Sequence, residues 1–386
     1  MTEAARPAAL VLVNGRYVGL DFARSVFIVL GVLYHAALVF VTPQSYRVTS
    51  SEVGVGFDYL VGFIHDFRMY GFFLLSGFFY GLLIERRGRK PALVDRLQRL
   101  LVPTFFVGLS FNTVMTLYSP NYQYSATFAG YLLNGEWLGH LWFIGNLALY
   151  CLVLGPLLPR VLAVRDSTMS IPLAGLVLII VVGTATPLLG MLFGVIGRPG
   201  PLLFLSPYEF LHYLPYFLAG TFFYARKDVF AFVIQLRVAL PLTLLSRLGV
   251  HLIESTHAED QWLFHLIRPF EAGYQLGLAL LIIGLLQRVG RPSAFVNRTV
   301  IAGYTIYLMH EPMIAVLAPQ LTDLAWPLAA RFAMLSGATL VASYAIHVLL
   351  VQRSPFLRFL VNGVRPAPAP AAAAAVGVSP ASSGSL

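Results

Sequence analysis

Apolar runs long enough to cross a bilayer follow one another along the chain with only brief interruptions, and nothing else constrains its fold as strongly. A spanning helix needs about 20 predominantly apolar residues. Such runs lie near 22–41, 60–84, 100–118, 139–159, 171–195, 207–225, 229–251, 262–287, 298–318 and 327–352. With 58% hydrophobic and only 11% charged residues, and a mean hydropathy of +0.76, the sequence predicts an all-α, polytopic transmembrane bundle of about ten spans. Ten spans put both termini on one side. Most of the 26 lysines and arginines, among them Arg86, Arg87, Arg89, Lys90, Arg160, Arg165, Arg226, Lys227, Arg288 and Arg353, fall between runs on that side, which makes it cytoplasmic. The formal charge of +9 therefore belongs to loops at a lipid bilayer and does not point to nucleic acid.

Three regions follow from this pattern. Residues 1–21 form a cytoplasmic N-terminal segment, 22–359 the transmembrane domain, and 360–386 an Ala/Pro-rich cytoplasmic tail expected to be disordered. The single cysteine, Cys151, excludes an internal disulfide. No internal repeat marks the two halves of a carrier. Gly77-Phe-Phe-Tyr-Gly81 is a small-xxx-small pattern suited to close helix packing.

Polar residues inside the apolar runs are the informative exceptions. Arg24 and His35 lie eleven residues apart on the first span. At about 100° and 1.5 Å per residue they share a face, roughly 16 Å apart, with Gly31 one turn below the imidazole. An ionisable group at membrane depth faces a cavity or a partner, so His35 is either a reactive group or a histidine bonded to a neighbouring helix. His65 and Arg68 share a face of the second span, His140 and Trp142 open the fourth, Arg268 and Glu271 sit early in the eighth, and Tyr307, His310 and Glu311 lie past the middle of the ninth. All are expected near one depth. Arg96 and Arg99, on one face before the third span, suit phosphate, whether on a nucleotide-like molecule or a lipid headgroup. The histidines lack a helical i, i+4 pair, and no metal is expected.

These residues also carry a resemblance. Leu20-Asp21-Phe-Ala-Arg24 with His35, His65-Asp-Phe-Arg68-Met69 running into Phe72-Phe-Leu-Leu-Ser76-Gly77, Arg96-Leu-Gln-Arg99 with Pro103, His140-Leu-Trp142, Tyr213-Leu-Pro215 and Tyr307-Leu-Met-His310-Glu-Pro312 are similar, in order, to the acyltransferase 3 family of membrane-bound acyltransferases. The nearest branch is one that succinylates periplasmic glucans. The resemblance implies a bacterial inner-membrane enzyme that moves an acyl group from cytoplasmic acyl-CoA, a donor substrate and no resident cofactor, to a hydroxyl of an extracytoplasmic glycan or glycolipid. It implies His35 as the catalytic histidine, Arg24 as its partner, and Arg96 with Arg99 as the holders of the CoA phosphates. Glu311 departs from it, standing where a second histidine is common in that branch.

The chemistry agrees. A sugar hydroxyl is a poor nucleophile, and a histidine can take its proton as it attacks a thioester; direct transfer and an acyl-histidine intermediate both remain open. A succinyl carboxylate would call for Arg68 or Arg268, unless Arg268 is simply paired with Glu271. His65, Arg68, Arg268, Glu271, Tyr307 and His310 are accordingly expected to line the substrate site. The rival reading is a transporter or flippase of a glycan or glycolipid, which would also want intramembrane charge but gives no reason for the arginine pair.

Overall fold

The computed structural model describes residues 10, 12–13, 15–42, 46–119, 127–196, 205–256, 261–289 and 293–365. A short antiparallel hairpin, β1 (Leu12–Val13) with β2 (Arg16–Tyr17), precedes α1 (Val18–Ala37). Asp21 in the first turn of α1 complements the helix dipole and pairs with Arg16 at 2.9 Å. The next helix, α2 (Val55–Arg87), has 33 residues and is about 50 Å long, more than the bilayer core requires. Gly88 stops it, and α3 (Arg89–Val107) passes through a π-turn at Gly108–Asn112 into α4 (Thr113–Tyr118).

Beyond it come α5 (Phe128–Leu133), a tight 3-10 segment at Glu136–Leu141, α6 (Trp142–Leu154) and α7 (Leu158–Leu162). The remaining helices are α8 (Ile171–Ile196), α9 (Pro207–Ala225), α10 (Lys227–Val233), α11 (Leu236–Thr256), α12 (Gln261–Val289), α13 (Ala294–Leu321), α14 (Leu328–Ile346) and α15 (Pro355–Asn362). α1 lies inside the bundle against α2, α12, α13 and α14. α8 and α11 turn leucine, isoleucine and valine side chains outward, including Leu176, Ile180, Leu188, Leu244, Leu245 and Leu248, the surface that lipid covers.

Nine helices among the described residues are long and apolar enough to cross a membrane, one fewer than the ten runs of the sequence. The difference is α9, which forms where expected but carries Glu209, His212 and four tyrosines. It runs parallel to α2 and beside only its second half: His212 meets Tyr70, and Tyr224 hydrogen-bonds Glu85. Two glycines permit the approach, since a Cβ on Gly220 would lie 1.8 Å from the Leu74 carbonyl oxygen and one on Gly77 2.0 Å from that of Phe217. Protein, more than lipid, surrounds this helix, so it tolerates polar residues.

Two boundaries also differ. The run at 229–251 divides into α10 and α11 because Gln235 turns back to the Ala231 carbonyl at 3.1 Å and accepts from Arg237 at 2.7 Å. The ordered chain continues past 359, since α15 runs to Asn362 and buries Val361; residues 366–386 of the expected tail lie outside the described residues.

Candidate active site

The polar centre is built around Glu311. On α13, Tyr304, Tyr307 and Glu311 fall at i, i+3 and i+7 and so face one way. The Glu311 carboxylate is 4% exposed and meets two imidazoles, with Oε2 2.8 Å from His140 Nδ1 and Oε1 3.3 Å from His35 Nδ1. Tyr46 Oη donates to Oε1 at 3.2 Å, and Arg47 Nε stands 4.0 Å from Oε2. Burial and the adjacent carboxylate hold the Tyr46 hydroxyl well above its ordinary pKa, so it remains a donor.

The backbone around His140 is fixed on three sides. Gly139 adopts φ +49°, ψ −128°, a conformation for which a side chain is unsuited, and a Cβ there would crowd Arg47 and Asn112. Asn112 Nδ2, carried on the π-turn, donates to the carbonyls of Trp137 at 3.2 Å and Leu138 at 2.9 Å. Tyr307 Oη donates to the His140 carbonyl at 2.6 Å. Both nitrogens of His140 face oxygen acceptors, Glu311 and the Leu308 carbonyl. His35 is different. Its Nδ1 faces Glu311 without good hydrogen-bond alignment, and its Nε2 has no hydrogen-bond partner among the described residues. The His310 ring lies 5.0 Å from each of the other two; its Nδ1 meets the Tyr307 carbonyl and its Nε2 is buried without a partner. Among the described residues no three His, Cys, Asp or Glu side chains form a metal-holding group.

The room beneath His35 that Gly31 provides is filled by Arg68, whose Nη1 lies 2.5 Å from where a Cβ on Gly31 would sit. This guanidinium is 6% exposed, rests 5.0 Å from the centre of the Tyr34 ring, and meets no carboxylate among the described residues. His65 stacks on the same tyrosine at 6.1 Å. A buried cation without a counter-ion is costly unless an anion visits it.

Arg24 lies about 16 Å along α1 from His35, eleven residues before it. It lies 3.7 Å from Asp21 and over the ring of Phe79, and with Arg96, Arg99 and Arg358 it lines a cavity of about 620 Å³. A second, narrow cavity of about 120 Å³ shares Arg24, Arg96, Leu100 and Tyr304 with the first. It continues between Ser76, Phe143 and Ile144 as far as Tyr307, whose ring is 5.6 Å from that of His140. A wide arginine-lined vestibule thus narrows into a channel that ends at Tyr307, the tyrosine whose hydroxyl is bonded to the His140 carbonyl.

Arg268 and Glu271 do not join this set. They pair with each other at 3.0 Å in a separate cavity of about 530 Å³ between α8, α9 and α12, next to Tyr208 and His212. The tilted rings of Tyr213 and Tyr216 pack on Tyr70 at centroid distances of 5.2 and 4.8 Å, and Tyr70 in turn bonds His212 of that cavity. Of the residues expected at the site, the structure therefore gathers His35, His65, Arg68, Tyr307 and His310 at one end and Arg24, Arg96 and Arg99 at the other. Sequence reasoning missed Tyr46, Arg47, Asn112 and Arg358, and placed Glu311 at the common depth without giving it a role. The four-residue spacing of Tyr307 and Glu311 was the one local signal that the acid shares the functional face.

The fold and site define an integral membrane protein with a buried histidine–carboxylate cluster and, leading toward it as far as Tyr307, an arginine-lined cavity. The model of the acyltransferase 3 family, an acyltransferase domain, matches residues 17–348, and the chain belongs to that family. It is similar to proteins named glucans biosynthesis protein C: 25% identical over 373 residues to that of Salmonella schwarzengrund (strain CVM19633), and 25% over 377 residues to that of Salmonella gallinarum (strain 287/91 / NCTC 13346). Each comparison covers 90% of this chain and 94% of the relative. No solved structure matches. The protein is a membrane acyltransferase.

Proposed function

We propose that the protein transfers an acyl group, succinyl in the first instance, from cytoplasmic acyl-CoA to a hydroxyl of an extracytoplasmic glycan, with His35 as general base. The observation that carries this reading is the asymmetry between the two imidazoles on Glu311. His140 is engaged at both nitrogens, whereas His35 faces the carboxylate at Nδ1 and presents an Nε2 without a hydrogen-bond partner among the described residues. In the reaction the acceptor hydroxyl gives its proton to His35 Nε2 as its oxygen attacks the thioester carbonyl. The C–S bond then breaks, and the departing CoA thiolate takes the proton back from His35. Glu311 steadies the imidazolium between these steps.

The donor's phosphates rest in the vestibule, where Arg24 joins Arg96 and Arg99 in a phosphate-binding role. The acyl end reaches the cluster along the channel, a path of about 16 Å measured by the rise of α1 from Arg24 to His35. Arg68, buried and without a carboxylate partner among the described residues, is suited to a succinyl carboxylate or to the oxyanion of the tetrahedral intermediate. The orientation has both termini cytoplasmic in the bacterial inner membrane, so that the arginine-rich ends of α2 and α3 face the cytoplasm. The parallel course of α2 and α9 supports this, because the second and sixth of ten crossings run in the same direction.

Purified protein incubated with radiolabelled succinyl-CoA and glucan tests the reading. His35→Ala is expected to abolish transfer while CoA binding persists, and retained turnover would refute the assignment. In the same assay Arg68→Ala is expected to lower succinyl over acetyl preference, or overall turnover if the residue serves the oxyanion. A protein that moves glycan across vesicles and leaves the thioester intact is a transporter.

A further inference from the structure

Among the described residues, the vestibule holds one arginine that follows the last span. Arg358 belongs to α15, the amphipathic helix that follows the last span and folds back along α3. Its Nε is buried without a hydrogen-bond partner, and no carboxylate among the described residues pairs with it. α15 is held in place by its C-terminal residue. Gln98 Nε2 donates to the Gly363 carbonyl at 2.6 Å, and Gly363, at φ +63°, lies so close to α3 that a Cβ would stand 2.5 Å from the Arg99 Cα. Both the left-handed backbone and the close approach require glycine there.

The four guanidiniums are not equivalent. Arg24 and Arg96 line both the vestibule and the channel, whereas Arg99 and Arg358 line the vestibule alone. Arg24 has Asp21 nearby and Arg99 is tied to Asp95 at 3.0 Å, which leaves Arg96 and Arg358 without an acid partner among the described residues. A CoA donor presents its charge in a matching order. The diphosphate adjoins the pantetheine arm and so must lie at the channel mouth, by Arg24 and Arg96. The 3′-phosphate, on the ribose beyond it, is a monoester of about −1.5 to −2 charge that falls on the outer part of the vestibule.

From this order we infer that Arg358, positioned by α15, is the residue that recognises the 3′-phosphate of the CoA donor and so distinguishes CoA from its 3′-dephospho form. The inference rests on the reading of acyl-CoA as donor. An anionic lipid headgroup in the vestibule would share the phosphate chemistry but carry no dependence on the 3′ group.

Binding titrations of CoA and of 3′-dephospho-CoA to the purified full chain separate these readings. The wild type is expected to bind CoA more tightly. Arg358→Ala is expected to weaken CoA binding by about 10- to 100-fold, the worth of one charge-assisted phosphate contact, and to leave dephospho-CoA affinity within about twofold. Gly363→Ala, which pushes α15 from α3 with Arg358 intact, is expected to show the same selective loss, and undiminished dephospho-CoA binding certifies that either variant is folded. Equal weakening of both ligands by Arg358→Ala, or no change in either, overturns the assignment of Arg358 alone. Failure of the wild type to bind either ligand overturns the donor reading together with it.

Discussion

Replacing Glu311 with glutamine tests the centre of the proposed site most directly. The amide keeps the size of the side chain and can still accept from one imidazole, but it carries no charge and offers one acceptor oxygen in place of two. The buried carboxylate spans His140 at 2.8 Å and His35 at 3.3 Å. Hydrogen bonds to a charged partner contribute about 1.5–3 kcal/mol, neutral ones about 0.5–1.5, so exchanging one for the other at His140 removes about 1–2 kcal/mol, and losing the charge that faces the His35 imidazolium costs about as much. That imidazolium forms during transfer, and a neutral amide cannot balance it. Over both contacts the loss is about 2–4 kcal/mol, or a fall of about 30- to 1000-fold in kcat. KM for the acyl-CoA donor should hardly move, since the proposed phosphate site, the vestibule lined by Arg96 and Arg99, lies at the far end of the channel. Steady-state transfer of radiolabel to glucan, with donor and acceptor varied separately, measures both quantities. A kcat within threefold of wild type, or a change confined to donor KM, would show that the acid supports packing and not the base.

Two further variants test the fold. Gly220→Val should lower the thermal unfolding midpoint in detergent, because overpacking of this kind costs about 1–3 kcal/mol and the obstacle, the Leu74 backbone carbonyl, cannot rotate aside. Gly62→Ala on α2, where a new Cβ meets nothing within 4 Å, is its control and should cause no loss; equal loss from both would remove the α2–α9 crossing as the explanation. At the turn between α9 and α10, hydrogen bonds from Arg226 hold the Asp228 carboxyl below the ordinary range. A depressed folded pKa stabilises above the unfolded value and is lost as the pH falls through the folded one. Wild type should therefore exceed Asp228→Asn by under about 1 kcal/mol at neutral pH, the pair being 43% exposed on the acid side, and the gap should close as the pH drops below about 4. Unfolding midpoints across pH measure it, and a gap that is independent of pH would contradict the ion pair as its source.

The local content of the sequence was enough to place most of the bundle and one of its seams. Hydrocarbon leaves a long apolar run little choice but to be helical, and the helix period puts Gly31 on the face one turn below His35 whatever surrounds it. The arginine pair before the third span was legible for the same reason: Arg96 and Arg99 are three residues apart and needed no distant partner to share a face.

What the residue spacing could not convey was which faces meet. His35, His140 and Glu311 come from three separate elements, and the π-turn bearing Asn112, the backbone of Gly139 and the Tyr307 hydroxyl together hold His140 at the carboxylate. Arg268 was expected at the depth of the others, yet it pairs with Glu271 in another cavity, because depth in a membrane fixes one coordinate and packing fixes the other two. Arg24 shares a helix with His35 but answers to Arg96 and Asp21, and Arg358 reaches the same vestibule from beyond the last span. Those pairings depend on contacts between residues distant in the chain, where no period along the sequence carries the information.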